Sequence, residues 1–114
     1  MKKTILMKAG KSLNDIYQTG SLYRNILKTD KLEANITHLL PGTKTNSFKH
    51  VGQEFKLMVK GEVEYGVGEE KFILQEGDML FHHSEEKHWA KNIGKGEAVF
   101  VTISTPPTFT LFEK

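Results

Sequence analysis

The sequence predicts an all-β barrel or sandwich, and three observations carry that expectation. Short runs rich in Val, Ile, Phe and Leu recur along the chain. Glycine punctuates them, at Gly42, Gly52, Gly61, Gly66, Gly68, Gly77, Gly94 and Gly96. After residue 32 no stretch of ten residues keeps a 3.6-residue apolar period. Evenly spaced short strands with turn signals between them are the pattern of closed or two-sheet β folds.

The elements follow in order. Residues 4–8 and 21–27 are expected as two N-terminal strands, with one helical turn over Ser12 to Gln18 capped by Ser12 or Asn14. Residues 33–40 form the next strand and enter the turn Pro41-Gly42. Strands at 47–51 and 54–60 follow, and Lys60-Gly61 turns tightly into 62–66. Gly66-Val67-Gly68 leads to 71–75, and Glu76-Gly77-Asp78 leads to 79–82. Strands at 88–92, 97–104 and 108–112 complete the list. Strand 54–60 places Phe55, Leu57 and Val59 on one face and Glu54, Lys56, Met58 and Lys60 on the other, because strand side chains alternate. Glu54 thus points away from the more apolar row, toward a second and more polar compartment. Strand 98–103 is apolar on both faces, as expected of a sheet covered on both sides.

A length of 114 residues fits one domain. Residues 1–31 are taken as its N-terminal strands and 32–110 as the barrel proper. There is no cysteine, which excludes disulfides, thiolate metal sites and thiol nucleophiles. No apolar run approaches the roughly 20 residues of a membrane span. Met1-Lys2-Lys3 resembles the start of a secretion signal, but Thr4-Ile5-Leu6-Met7 is too short for its apolar region. A cytoplasmic protein with no membrane partner is expected. The net charge of +2 is uneven. Residues 1–31 hold seven basic and two acidic side chains, a net +5. The lysines are scattered singly, as on solvated strand edges, so no nucleic-acid partner is expected.

Histidines at 38, 50, 82, 83 and 88 beside carboxylates raise metal chemistry, since imidazole suits Zn, Cu, Fe and Ni and two histidines with one carboxylate leave open positions on a metal. The spacing is Gly42-x5-Phe48-x-His50-x3-Glu54-x6-Gly61, then Gly77-x5-His83-x-Glu85-x2-His88-x3-Asn92. Here the chain resembles the cupin superfamily. The family's first motif is Gly-x5-His-x-His-x3,4-Glu-x6-Gly and its second is Gly-x5-Pro-x-Gly-x2-His-x3-Asn. The resemblance implies a double-stranded β-helix, or jelly roll, with His50, Glu54 and His88 as ligands of a divalent transition metal (Zn, Fe, Mn, Ni or Cu). Phe48 stands in place of the family's first histidine ligand, His83 replaces the proline and Glu85 the glycine.

A closer likeness lies in His50-Val51-Gly52-Gln53-Glu54-Phe55, Val59-Lys60-Gly61, Gly77-Asp78, Lys87-His88 and Thr105-Pro106-Pro107-Thr108-Phe109. Over residues 32–110 these are similar to the C-terminal sensor cupin of bacterial helix-turn-helix regulators. Residues 1–31 lack the length and period of a helix-turn-helix. The resemblance thus implies a ligand-binding or sensing barrel.

Phe48, Met58, Phe81 and Trp89 are candidate apolar walls of a small-ligand pocket. Lys56 shares the Glu54 face and either pairs with Glu54 or clamps an anionic ligand. His83 or His82 is a candidate replacement ligand, but alternation turns only one of them inward. His38 shares a face with Ile36 and Leu40 and is a core-edge histidine or a pocket residue. Three functions remain open: a module that binds a metal or small molecule, a small metal-dependent enzyme such as a dioxygenase, isomerase or lyase, and a structural or storage barrel whose site is vestigial, as the loss of a ligand at Phe48 would allow. The doubly apolar strands also predict a twofold homodimer, since an apolar sheet face of that size is unusual on a monomer.

Overall fold

The computed structural model describes residues 3–8, 16–19 and 21–107, with the backbone alone for 16–19. Its nine strands are β1 (Ile16–Thr19), β2 (Leu22–Lys28), β3 (Glu33–Leu39), β4 (Gln53–Lys60), β5 (Val63–Val67), β6 (Glu70–Leu74), β7 (Met79–His83), β8 (His88–Asn92) and β9 (Ala98–Thr105). They form two antiparallel sheets, ordered β1-β2-β3-β9-β4-β7 and β6-β5-β8. β1, β2 and β3 follow one another in the large sheet, but its other neighbours are distant in sequence, as in a jelly roll: β9 lies between β3 and β4, and β7 flanks β4. Among the described residues, no helix is long and apolar enough to cross a membrane.

Several expected elements change. Residues 4–8 form no strand, and the helical turn gives way at residues 16–19 to β1. Residues 12–15 and the strand at 108–112 lie outside the described residues. Gly66 and Val67 belong to β5, so the turn falls at Gly68-Glu69. Residues 47–51 are not a strand. Instead 42–48 run irregularly along β8, joined by Thr45 N–H to Ala90 O at 2.8 Å and by the mutual Phe48–His88 pair at 3.0 and 3.2 Å. Gly52 then turns the chain into β4 with φ of 112°, and any Cβ there would collide with the Thr105 carbonyl.

Register explains what the barrel encloses. On the inner face of the large sheet one cross-strand row reads Glu33, Ser104, Glu54, His82. The next reads Asn35, Thr102, Lys56, Leu80. The third reads Arg24, Thr37, Phe100, Met58, and beyond it stand Leu22, Leu39 and Ala98. The interior is therefore divided lengthwise. Leu22, Leu39, Met58, Val63, Leu74, Ala90, Ala98 and Phe100 pack one end as apolar core, while buried polar side chains fill the other.

This corrects the expected role of the apolar row in β4. Phe55 and Leu57 face outward and are half-buried, whereas Glu54, Lys56 and Met58 are buried. The outer face carries two apolar rows, Phe81-Phe55-Ile103-Ala34 and Met79-Leu57-Val101-Ile36. The pairing shift in β4 falls between Met58 and Lys60, beyond Lys56, so Lys56 keeps the Glu54 face.

Asn92 ties the small sheet to the large one. Its buried amide donates to Leu39 O at 2.8 Å and Gly96 O at 2.9 Å, and its oxygen accepts from Gly94 N–H at 2.8 Å. Asn92→Ala leaves these backbone groups without their partner. It should cost about 2–4 kcal/mol of stability, read as a lower urea midpoint at unchanged m-value.

Candidate metal and ligand site

The polar end of the barrel is built around Glu54. Its carboxylate lies 2.8 Å from His50 Nε2 and 3.3 Å from His88 Nε2, both at Oε2. The Ser84 hydroxyl donates to the same oxygen at 2.7 Å. Oε1 pairs with Lys56 Nζ at 2.9 Å, and Lys56 also donates to Thr102 Oγ1 at 2.9 Å. Three different stretches supply the two histidines and Glu54. His50 precedes the Gly52 turn, Glu54 follows it on β4, and His88 opens β8.

His50, Glu54 and His88 each offer a ligand atom, all within 4.8 Å of one another and all buried. Donors bound at about 2.0–2.2 Å to one ion stand roughly 3–3.5 Å apart, so the set has the dimensions of a metal site. The outer hydrogen bonds agree. His88 Nδ1 lies 2.7 Å from the Glu86 carbonyl, which places the proton there and leaves the Nε2 lone pair aimed at Glu54. Two electron-rich atoms facing each other at 3.3 Å call for a cation between them, and His88 Nε2 has no hydrogen-bond partner among the described residues. His50 can carry its proton on Nδ1, 3.3 Å from the Val51 carbonyl, or on Nε2 toward Glu54. Fixing a ligating imidazole through its other nitrogen is a general feature of metal sites.

The electrostatics keep Glu54 ionised. Burial alone would raise its pKa. The Lys56 ammonium, with the hydrogen bonds of His50 and Ser84, outweighs that and holds it far below the usual carboxylate range. Burial pushes His88 down to about 4, against the pull of the Glu54 charge, and burial also lowers His82.

Next to the trio is a narrow cavity of about 10 Å³, room for one water. It is lined by Arg24, Thr45, Phe48, Lys56, Tyr65, His88, Trp89, Ala90 and Phe100. Phe48, which stands in the place of a ligand, puts its ring 4.9 Å from that of His88. Trp89 lies on Gly66, where any Cβ would overlap the indole.

Of the expected pocket residues, Phe48 and Lys56 line this cavity, while the Trp89 ring turns to the outer face of the small sheet beside its register partner Gly66. Met58 packs in the apolar core instead. The placement of Phe81, His83 and His38 is corrected. Phe81 and His83 are exposed on the outer face of β7. His38 lies on the outer face of β3, 3.4 Å from Glu97 and against Tyr23. The cause is the β4–β7 register, which sets Glu54 opposite His82 and Gln53 opposite His83.

His82 is thus the inward histidine. Its Nδ1 faces its own neighbour's carbonyl, His83 O, at 2.9 Å, so its Nε2 accepts the Tyr65 hydroxyl proton at 2.8 Å. It stands 3.6 Å from Glu54 Oε1, beside the trio. Tyr65 and Arg24 were not singled out from the sequence. The β4–β7 pairing selects His82 over His83, both of which the sequence offered, but nothing local marks Arg24.

A family model described as "Cupin domain" matches residues 35–104. The chain belongs to the cupin family. No curated protein matches it in sequence. Among solved structures it is similar to ectoine synthase from P. lautus, with 22% identity and a TM-score of 0.76 over 91% of this chain and 79% of that one. It is also similar to the cupin domain of an XRE-family transcriptional regulator from Enterobacter cloacae, with 19% identity and a TM-score of 0.71, covering 77% and 99%. A third is an uncharacterized conserved protein with a double-stranded β-helix domain from Klebsiella pneumoniae, with 26% identity and a TM-score of 0.73, covering 88% and 91%.

The depressed pKa of His88 sets a pH dependence for the metal-free protein. The folded chain keeps His88 neutral down to about 4, while the unfolded chain protonates it near 6.5. Between those values the unfolded state binds more protons, so stability falls as pH falls. Urea unfolding should show a loss of roughly 3 kcal/mol from pH 7 to pH 4. Glu54 adds a further loss below its ordinary value of 4.5. A flat profile from pH 7 to 5 would contradict this assignment.

Proposed function

We propose that this chain is a metal-binding cupin that takes a small molecule beside His50, Glu54 and His88, and that it works as a binding or sensing module. The observation that carries the reading is the buried donor set, with His88 Nε2 and Glu54 Oε2 facing each other at 3.3 Å. The metal is a divalent transition ion (Zn, Fe, Mn, Ni or Cu), as two imidazoles and a carboxylate favour. When bound, it polarises a ligand oxygen as a Lewis acid. The protein orients the donors through the Glu86 and Val51 carbonyls and walls the ligand with Phe48 and Tyr65. The similarity to a regulator's cupin domain supports sensing.

The second reading is a small metal-dependent enzyme, of dioxygenase, isomerase or lyase type. The Tyr65–His82 pair favours it, since a phenol hydrogen-bonded to an imidazole 3.6 Å from Glu54 is a ready proton carrier. The partner we assign in either case is a second copy of the chain, seated on the outer apolar rows of the large sheet through a twofold axis. Exposed Phe81, Met79, Ile103 and Ile36 support this face.

Metal content is the first test. Protein purified without chelator or affinity metal should carry near-stoichiometric metal, and a His50→Ala, His88→Ala variant should carry none. Absence of metal from the parent after incubation with zinc, manganese and nickel would overturn the reading. For the dimer, light scattering on a sizing column should give twice the chain mass at micromolar concentration, and Phe81→Asp should halve it. A monomeric parent would remove the second copy.

A further inference from the structure

The turn between β7 and β8 touches every member of the metal trio. It runs over residues 84–86. His50 N–H donates to Ser84 O at 2.9 Å, and the Ser84 hydroxyl donates to Glu54 Oε2 at 2.7 Å. The Glu86 carbonyl lies 2.7 Å from His88 Nδ1. Ser84 N–H returns to Gly52 O at 2.8 Å, and Gly52 N–H donates to Glu85 Oε2 at 3.0 Å. We propose that this turn is a clamp that positions the trio for an ion, and that Glu85, whose carboxylate fastens the turn to Gly52, is a positioning residue for metal binding. This deepens the metal reading above and rests on it.

Gly52 is the point where such a fastening matters. It stands two residues after His50 and two before Glu54, at the change of direction between them, with φ of 112°. Glycine has more backbone freedom than any other residue. Here its N–H is taken by Glu85 and its carbonyl by the Ser84 N–H. Tying down both groups removes the backbone motion that would part His50 from Glu54.

The residue types suit these places. Ser84 is buried, and its short hydroxyl side chain together with Lys56 on Oε1 holds both oxygens of the Glu54 carboxylate. Glu85 is exposed. The Gly52 N–H bond draws its carboxyl below the ordinary value, so the acceptor is charged at neutral pH. Glycine, which the family's second motif has at this position, offers no side chain for that bond. Phe48 removes one protein donor from the site, so the hold on an ion depends more closely on the placement of the other three. Hydrogen bonds that orient metal ligands from outside commonly account for about 10–100-fold in metal affinity.

Zinc affinity is measured on the full chain by competition with a chromophoric chelator, and the visible spectrum of the cobalt(II)-loaded protein reports the coordination geometry. Glu85→Ala should weaken zinc binding about three- to tenfold and alter the cobalt spectrum. Glu85→Gln keeps an acceptor oxygen and should stay within about twofold of the parent. Ser84→Ala should lose about tenfold or more. Glu85 is exposed, so its two variants decide the matter if Ser84→Ala does not fold. A lower urea midpoint for Glu85→Ala with zinc affinity and cobalt spectrum unchanged means that the turn supports the fold only, and overturns this inference alone. Equal losses in Glu85→Ala and Glu85→Gln would also overturn it, since charge rather than the Gly52 bond would then be the cause. No zinc uptake by the parent overturns the metal site itself, and the clamp with it.

Discussion

The structure depends on keeping one carboxylate charged inside the barrel. Glu54 is 1% exposed, and an ionised group in that position is tolerated only when it is paired and hydrogen-bonded. Lys56, Ser84 and His50 supply that environment from three places in the chain. Lys56 is held in turn by Thr102, and the facing His88 by the Glu86 carbonyl. The result is a preorganised set of donors rather than a flexible one. It carries a stability cost, since an ion pair of this kind commonly contributes less than apolar packing would. The chain retains it at the polar end and concentrates its apolar core at the other.

That division follows from register. Because β9 separates β3 from β4, its inward residues Thr102 and Ser104 lie between the polar groups of β3 and those of β4. Short hydroxyl side chains there leave room for the long Lys56 and offer it an acceptor. Two residues along, Phe100 occupies the equivalent position beside Met58 and closes the apolar end. The same alternation sends Phe55, Leu57, Val101 and Ile103 outward, and so the sheet presents an apolar back and a partly polar interior. The outer rows and the inner site are two consequences of one pairing.

The sequence showed the motif residues well because they are tied to turns. Gly52, Gly61 and Gly77 all have positive φ, and each fixes a change of direction beside a functional strand. Counting from such points locates His50, Glu54 and His88 without knowledge of the sheet. Sidedness was less legible. Phe81 looked like a pocket wall because it is aromatic, yet its register partner is the outward Phe55. His82 and His83 differ only in parity, and parity is decided by pairing with β4. Arg24 depends on β2 and β3 together, and its local sequence, Tyr23-Arg24-Asn25, reads like a solvated edge. Residues 47–51, expected as a strand, form none, because the stretch before Gly52 pairs with β8 only at isolated points.

The replacement of a ligand position by Phe48 becomes intelligible beside Lys56 and His82. A site with one imidazole fewer around its carboxylate has less donor density, and here a buried ammonium takes up Oε1 of that carboxylate. One oxygen of Glu54 is thus committed to Lys56, and the other faces both histidines. A metal at the trio would meet a monodentate carboxylate, two imidazoles and an aromatic ring where a fourth protein donor would otherwise stand. The remaining coordination would fall to groups from outside the chain. Loss of a protein ligand and commitment of one carboxylate oxygen to Lys56 act in the same direction, since both reduce the donors that the chain itself can offer an ion at the trio.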